Sequence, residues 1–102
     1  MSIVARTPDH APDIAVALPK TIVARAFVEE TVLLDINSGR YFRLDGTAAQ
    51  MLDALTRHGT VGAAARALCE DGWGVQGEVA GDLSAFCTEL ERLGVLTTRG
   101  VG

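Results

Sequence analysis

A chain of 102 residues has the length of one domain. With 48% of its residues hydrophobic, 5% aromatic and 22% charged, it has the composition of a globular protein with one modest core, not of a disordered segment. A formal net charge of −4 argues against a protein whose affinity rests on neutralising phosphates. Cys69 and Cys87 lie 18 apart with no CxxC and no nearby histidine, so they read as reduced core thiols and no metal site is expected. The first residues, MSIVARTPDHAPD, have no long apolar run, and no segment approaches the roughly 20 apolar residues of a membrane helix. A cytoplasmic protein is expected.

Residues 1–13, with Pro8, His10 and Pro12, read as a flexible N-terminal arm. Ile14 to Leu18 is short and apolar, either an added strand or a packed segment, and Pro19 ends it. Thr21 to Val28, TIVARAFV, is rich in β-branched residues and predicts a first strand. Val32, Leu34 and Ile36 alternate with Thr31, Leu33 and Asp35, the period of a half-buried second strand. Asn37-Ser38-Gly39 then offers a three-residue loop with Gly39 free to turn left-handed. Tyr41 to Leu44 return as a third strand. Such a loop sets Leu34 opposite Phe42 and Val32 opposite Leu44, and gives the hairpin one apolar face.

Asp45 or a Thr47–Gln50 capping box opens a first helix, about Gly46 to Arg57, with Ala48, Met51, Leu52 and Leu55 as its apolar stripe. Gly59 stops it, and Thr60 caps a second helix with Val61, Ala64, Ala65 and Leu68 on one face. Residues 69–77, CEDGWGVQG, read as a loop. A third helix, the longest, follows from about Gly77 or Glu78 to Leu93. Its stripe Val79, Leu83, Phe86, Leu90 and Leu93 means core by default. Gly94 ends it, Val95 and Leu96 can fold back, and residues 98–102 read as a polar C-terminal tail. The whole is an α+β domain over residues 14–97, winged helix-turn-helix-like, with a three-stranded antiparallel sheet followed by three helices.

The chemistry of catalysis is missing. The chain has no GxSxG, HExxH, Walker loop or GxGxxG, and His10 and His58 are isolated. No enzyme and no cofactor are expected. The helix-turn-helix reading invites DNA binding, but the third helix carries Glu78, Asp82, Glu89 and Glu91 against Arg92 alone, a charge that a duplex repels. A binding module remains. If both strand connections are hairpins, the third strand is a sheet edge whose free backbone groups can accept a peptide strand. Arg40 and Arg43 on that edge either guard it against aggregation or pair with acids of an incoming peptide.

The run VLLDINSGRYFRLDGTAAQMLDAL resembles the PqqD-like family of RiPP recognition elements, and most of all the stand-alone members of lasso-peptide pathways. The matching features are Leu34-Asp35, the Asn37-Ser38-Gly39 turn, Tyr41-Phe42, Leu44-Asp45 and Thr47-Ala48-Ala49, then Thr60-Val61 and the closing Phe86, Leu90, Leu93-Gly94-Val95-Leu96. The chain departs from that pattern at Met51-Leu52, where lasso relatives often carry an aromatic, and at Asp45, where Asn is commoner. The resemblance implies a non-catalytic protein that binds the leader segment of a ribosomally made precursor peptide. The leader adds as a strand to the third strand and lies in a groove against the third helix. The implied partners are a leader peptidase and a macrolactam synthetase (the lasso cyclase), or, in quinone-cofactor systems, a radical SAM enzyme. Nucleic acid and membrane are not implied. Carried over by position, the leader-binding residues are Arg40, Tyr41, Phe42, Arg43 and Leu44 on the strand and Val79, Asp82, Leu83 and Phe86 on the helix. Leu83 and Phe86 are equally open to a pure core role.

Overall fold

The computed structural model describes residues 13–101. In chain order they form β1 (Asp13–Ala17), β2 (Ile22–Ala26), β3 (Glu30–Asp35), β4 (Tyr41–Asp45), α1 (Gly46–His58), α2 (Val61–Glu70), α3 (Gln76–Arg92) and β5 (Thr97–Val101). The α+β class and the run of three strands into three helices are those the sequence implies. The strands β2, β3 and β4 pair antiparallel in that order. The expected arm lies outside the described residues except for Asp13, which begins β1.

The expected polar tail is corrected as far as Val101, because it forms β5, which pairs antiparallel with β1, Ala17 facing Thr97 and Asp13 facing Val101. The reversal that aims it there is built into the end of α3. Gly94 takes a left-handed φ of 81° and the Val95 N–H donates to the Leu90 carbonyl. Val95 and Leu96 are then buried, and Thr97 Oγ1 donates to the Ala17 carbonyl. The same pairing settles the Ile14–Leu18 segment as a strand, over Asp13–Ala17, with Leu18 just beyond it. The loop after α2 is shorter than the sequence implies, because Cys69 and Glu70 continue the helix.

One core joins the pieces. Leu33 from the sheet, Leu52 and Leu55 from α1, Ala64, Ala65 and Leu68 from α2, and Val79, Leu83, Cys87 and Leu90 from α3 are all buried in it. The alanines of α2 allow it to pack between both neighbours, α1 on one side and α3 on the other. Both cysteines are free thiols. Burial, with a smaller contribution from Glu91, pushes Cys87 up to about 11.

The N-terminus of α2 is satisfied twice. Thr60 Oγ1 accepts from the Ala63 N–H at 3.1 Å. Asp13 reaches over from β1, and its Oδ1 accepts from Gly62 N–H at 2.8 Å and from its own neighbour Ile14 at 2.7 Å. Position 62 suits glycine because a Cβ there would stand 2.6 Å from the Asp13 carboxylate. By contrast Asp45 begins α1 by position, but its side chain makes no capping bond.

The β3–β4 hairpin differs from the expected register by one residue. Asp35 Oδ1 accepts from the N–H groups of Asn37 and Ser38, at 2.9 and 3.4 Å, and Gly39 N–H donates to the Asp35 carbonyl at 2.8 Å. The Asp35 N–H donates to the Arg40 carbonyl at 2.8 Å. The reversal therefore takes four residues, Ile36 to Gly39, with Gly39 at φ 78°. Leu33 faces Phe42 and Thr31 faces Leu44, not Leu34 and Val32. A slip of one residue exchanges the faces of a strand. Leu33 is fully buried, whereas Leu34 and Ile36 are 37% and 56% exposed.

Two outcomes test these assignments. Leu33→Ala should cost about 2–5 kcal/mol in chemical denaturation, and Leu34→Ala less than about 1 kcal/mol, the scale of an exposed cross-strand pair. The expected three-residue loop demands the reverse order. For Asp13, burial raises the carboxyl's pKa, but the hydrogen bonds from Gly62, Ile14 and Thr60 and the charge of Arg66 outweigh it, so the net shift is downward from 3.8. A depressed carboxylate contributes stability above its unfolded pKa and loses it as pH falls through the folded one. Asp13→Ala should therefore cost about 0.5–2 kcal/mol at neutral pH, with the gap to wild type closing below about pH 4.

Candidate functional site

One free edge of the three-stranded sheet is β4, the third strand predicted from the sequence. The bond from Asp35 N–H to Arg40 carbonyl fixes the phase of the ladder, since bonded pairs alternate along an antiparallel pair. Phe42 and Leu44 turn their backbone groups inward to Leu33 and Thr31. Tyr41, Arg43 and Asp45 therefore turn N–H and C=O away from the sheet. Gly46, whose N–H donates to the Glu29 carbonyl at 3.3 Å, continues the same phase. The edge thus offers the backbone of alternate residues only, and those at 42 and 44 are already engaged.

Side chains alternate in the same step. Phe42 and Leu44 face the core and are half-buried against it. Tyr41 and Arg43 project from the opposite face, with Tyr41 65% exposed. The register sets Val23, Leu34 and Tyr41 in one row across this outer face and Arg25, Val32 and Arg43 in the next. Beside the turn, the Arg40 guanidinium stands over the Phe42 ring, 5.1 Å from its centre.

Arg43 already has a carboxylate. Its Nε and Nη2 both donate to Glu30 Oε1, at 2.9 and 2.7 Å. That hydrogen bond and Glu30's charge raise the Arg43 pKa above its ordinary value. Glu30 lies diagonally across the ladder, one step from Val32, which faces Arg43. Glu30 lies outside the strands that the sequence predicts, so this pair is not foreseen there. The signal becomes visible only once Glu30 is placed inside β3.

The helix residues divide differently from expectation. Val79 and Leu83 are buried in the core and expose almost no surface to a groove. They sit on the stripe of α3 that meets the other helices, and the core reading left open for Leu83 is the one the structure adopts. Asp82 is exposed and Phe86 is half-buried at the margin of the core. β4 packs on α1, while α3 packs on α2 and β5. A cavity of about 640 Å³ lies elsewhere, between the β2–β3 turn, α1 and Trp73, and none of the nine expected binding residues lines it. Among the described residues no group of three His, Cys, Asp or Glu is placed to hold a metal, and no helix is long and apolar enough to cross a membrane.

Comparison with known proteins bears on this edge. Residues 30–96 match the family model described as coenzyme PQQ synthesis protein D (PqqD). One similar solved structure is TbiB1 in complex with the TbiA(beta) leader peptide, with a TM-score of 0.70 and 24% identity over 78% of this chain and 92% of that one. Another is lasso peptide synthetase B1 complexed with the leader peptide, with a TM-score of 0.70 and 25% identity over 81% of this chain and 98% of that one. No curated protein matches.

The phase of the edge has a direct consequence for proline. Arg43→Pro removes an amide that faces outward and should leave the fold and its denaturation midpoint nearly unchanged. Phe42→Pro removes one that is bonded to β3 and should lower the midpoint sharply. Circular dichroism of the two variants through a denaturant series checks this, and a sharp loss for Arg43→Pro would mean that the ladder has the other phase.

Proposed function

This chain belongs to the PqqD family, and we propose that it is a recognition protein without catalysis of its own, binding the leader segment of a ribosomally synthesised precursor peptide. The observation that carries this reading is the outward backbone of Tyr41 and Arg43 on the free edge of β4. An extended leader adds there as a strand, antiparallel addition giving up to two bonds at each of the two residues. Two proteins of similar fold hold a leader peptide in their solved structures, which supports the same ligand class here.

Within this reading the nine expected residues take unequal parts. Tyr41 and Arg43 supply backbone bonds and exposed side chains. Phe42 and Leu44 hold the strand against the core, and Arg40 stacks on Phe42 at the end of the strand. Asp82 and Phe86 are the α3 residues with surface to offer a leader that extends beyond the edge. Val79 and Leu83 act only by holding α3 in place. The leader is delivered to a leader peptidase and a macrolactam synthetase in the cytoplasm, a setting favoured by the lasso synthetase likeness. The second reading, delivery to a radical SAM enzyme, is favoured by the family's own description. DNA binding is disfavoured by the exposed acids Glu78, Asp82, Glu89 and Glu91 on α3.

The test uses a synthetic leader from the precursor gene that neighbours this one. It should bind with nanomolar to low-micromolar affinity, roughly −8 to −12 kcal/mol, while duplex DNA shows no binding at physiological salt. Amide exchange should slow at Tyr41 and Arg43 and change little at Phe42 and Leu44, which are bonded beforehand. Arg43→Pro should weaken the leader without unfolding the domain. Protection confined to α3, with β4 unchanged, would rule out strand addition.

A further inference from the structure

The sheet has a second free edge, that of β2. Phe27 N–H donates to the Glu30 carbonyl at 2.7 Å, which fixes the phase of the β2–β3 ladder. Val23 and Arg25 bond to β3, so Ile22, Ala24 and Ala26 turn their backbone groups outward. The Ile22 N–H is taken by the Pro19 carbonyl at 3.0 Å, which leaves the N–H groups of Ala24 and Ala26 open among the described residues. The side chains of those same three residues face the core side of the sheet. Two of the three are alanines, which do not fill the space above α1. The cavity of about 640 Å³ opens there, lined among others by Ala24, Ala26, Phe27, Ala49 and Trp73, with Leu18 at one end. Phe27 is 60% exposed beside it and Val28 is 99% exposed. An apolar groove alongside an unpaired strand edge is a site for one more strand.

The chain carries a segment of matching chemistry outside the described residues. Ser2-Ile3-Val4-Ala5-Arg6 repeats Thr21-Ile22-Val23-Ala24-Arg25, identical at four positions and a hydroxyl residue at the first. Twenty-one to twenty-five lead into and form most of β2, so the copy has the alternation and β-branching of a strand already used in this sheet. Reach is sufficient. β1 is five residues long, about 17 Å, and Leu18 at its far end lines the groove. Residues 7–12 can span up to about 25 Å from Asp13, enough to run back past β1. Charge agrees as well. Glu29 and Asp71 line the groove with no salt bridge among the described residues, whereas Asp53 is held by Arg57 at 3.1 Å. Arg6 is the one charged side chain among residues 1–8.

We propose that residues 2–6 dock in cis along the free edge of β2 as an extra strand, covering the groove beside Phe27 and Trp73 with Arg6 toward its acidic rim. This site lies on the opposite edge of the sheet from β4 and does not rest on the leader-binding reading.

The experiment compares the full chain with its Ile3→Asp, Val4→Asp variant. Trp73 is the only tryptophan, so its emission reports the groove directly. The variant should show red-shifted Trp73 emission and at least about tenfold faster amide exchange at Ala24 and Ala26, the outward-facing N–H groups not otherwise bonded. Exchange at Val23 and Arg25, bonded to β3, should stay the same, which separates an uncovered edge from a loosened fold. Leader affinity at β4 should be unaffected. Equal emission and equal exchange in the two chains would overturn the proposal. Protection that grows with protein concentration would overturn it too, since a second copy would then be the occupant.

Discussion

The carboxylate of Asp35 holds the constraint on which the rest of the sheet depends. By accepting from Asn37 and Ser38 it closes a four-residue reversal on the Asp35–Arg40 pair. The turn sets the register, and the register sets two things together. It decides that Leu33 enters the core, and it decides that the backbones of Tyr41 and Arg43 face outward. Because side-chain direction and amide direction both have period two along a strand, neither can change without the other. The Asp35 carboxylate itself is held below its ordinary pKa, chiefly by the Asn37 N–H. The anionic, turn-closing form is thus the one present at neutral pH.

The two edges of the sheet are consequently not alike. At β4 the free amides belong to residues whose side chains point to solvent, so a strand added there meets Tyr41, Arg43 and the apolar row from Val23 through Leu34. At β2 the free amides belong to residues whose side chains point toward the helices, so a strand added there lies beside a groove. One sheet offers two chemically different acceptors, and each is specified by the phase of a single turn hydrogen bond.

Much of this was legible in the sequence. The strand order, the three helices, the Thr60 cap and the return of Val95 and Leu96 follow from periodicity and punctuation, which act locally. The face assignment of β4 was also legible, because Phe42 and Leu44 alternate with charged or polar neighbours. The face of β3 was not. TVLLD places apolar residues on both faces, so its pattern does not choose between Leu33 and Leu34, and the choice falls to a loop whose length depends on whether Ile36 is strand or turn. β5 escaped for a related reason. Thr97, Thr98 and Arg99 are polar, and only the partner strand β1 makes them a strand. On α3, one apolar stripe serves the core, and sequence alone cannot separate Leu83 at its centre from Phe86 at its margin.

The Arg43–Glu30 pair changes how charge acts at the β4 edge. An acidic residue on an incoming peptide does not meet a free guanidinium. It meets the Nη1 side that Glu30 leaves open, or displaces Glu30 and exchanges one exposed ion pair for another. Exposed pairs contribute little in water, so the difference between two of them is smaller still. If a leader adds at this edge as proposed, its affinity comes chiefly from the backbone bonds and from apolar contact with Tyr41 and Leu34, with Arg43 selecting by exclusion. A basic peptide residue opposite it finds Glu30 already engaged and a like charge in its path. On that proposal the edge discriminates against the wrong charge more than it rewards the right one.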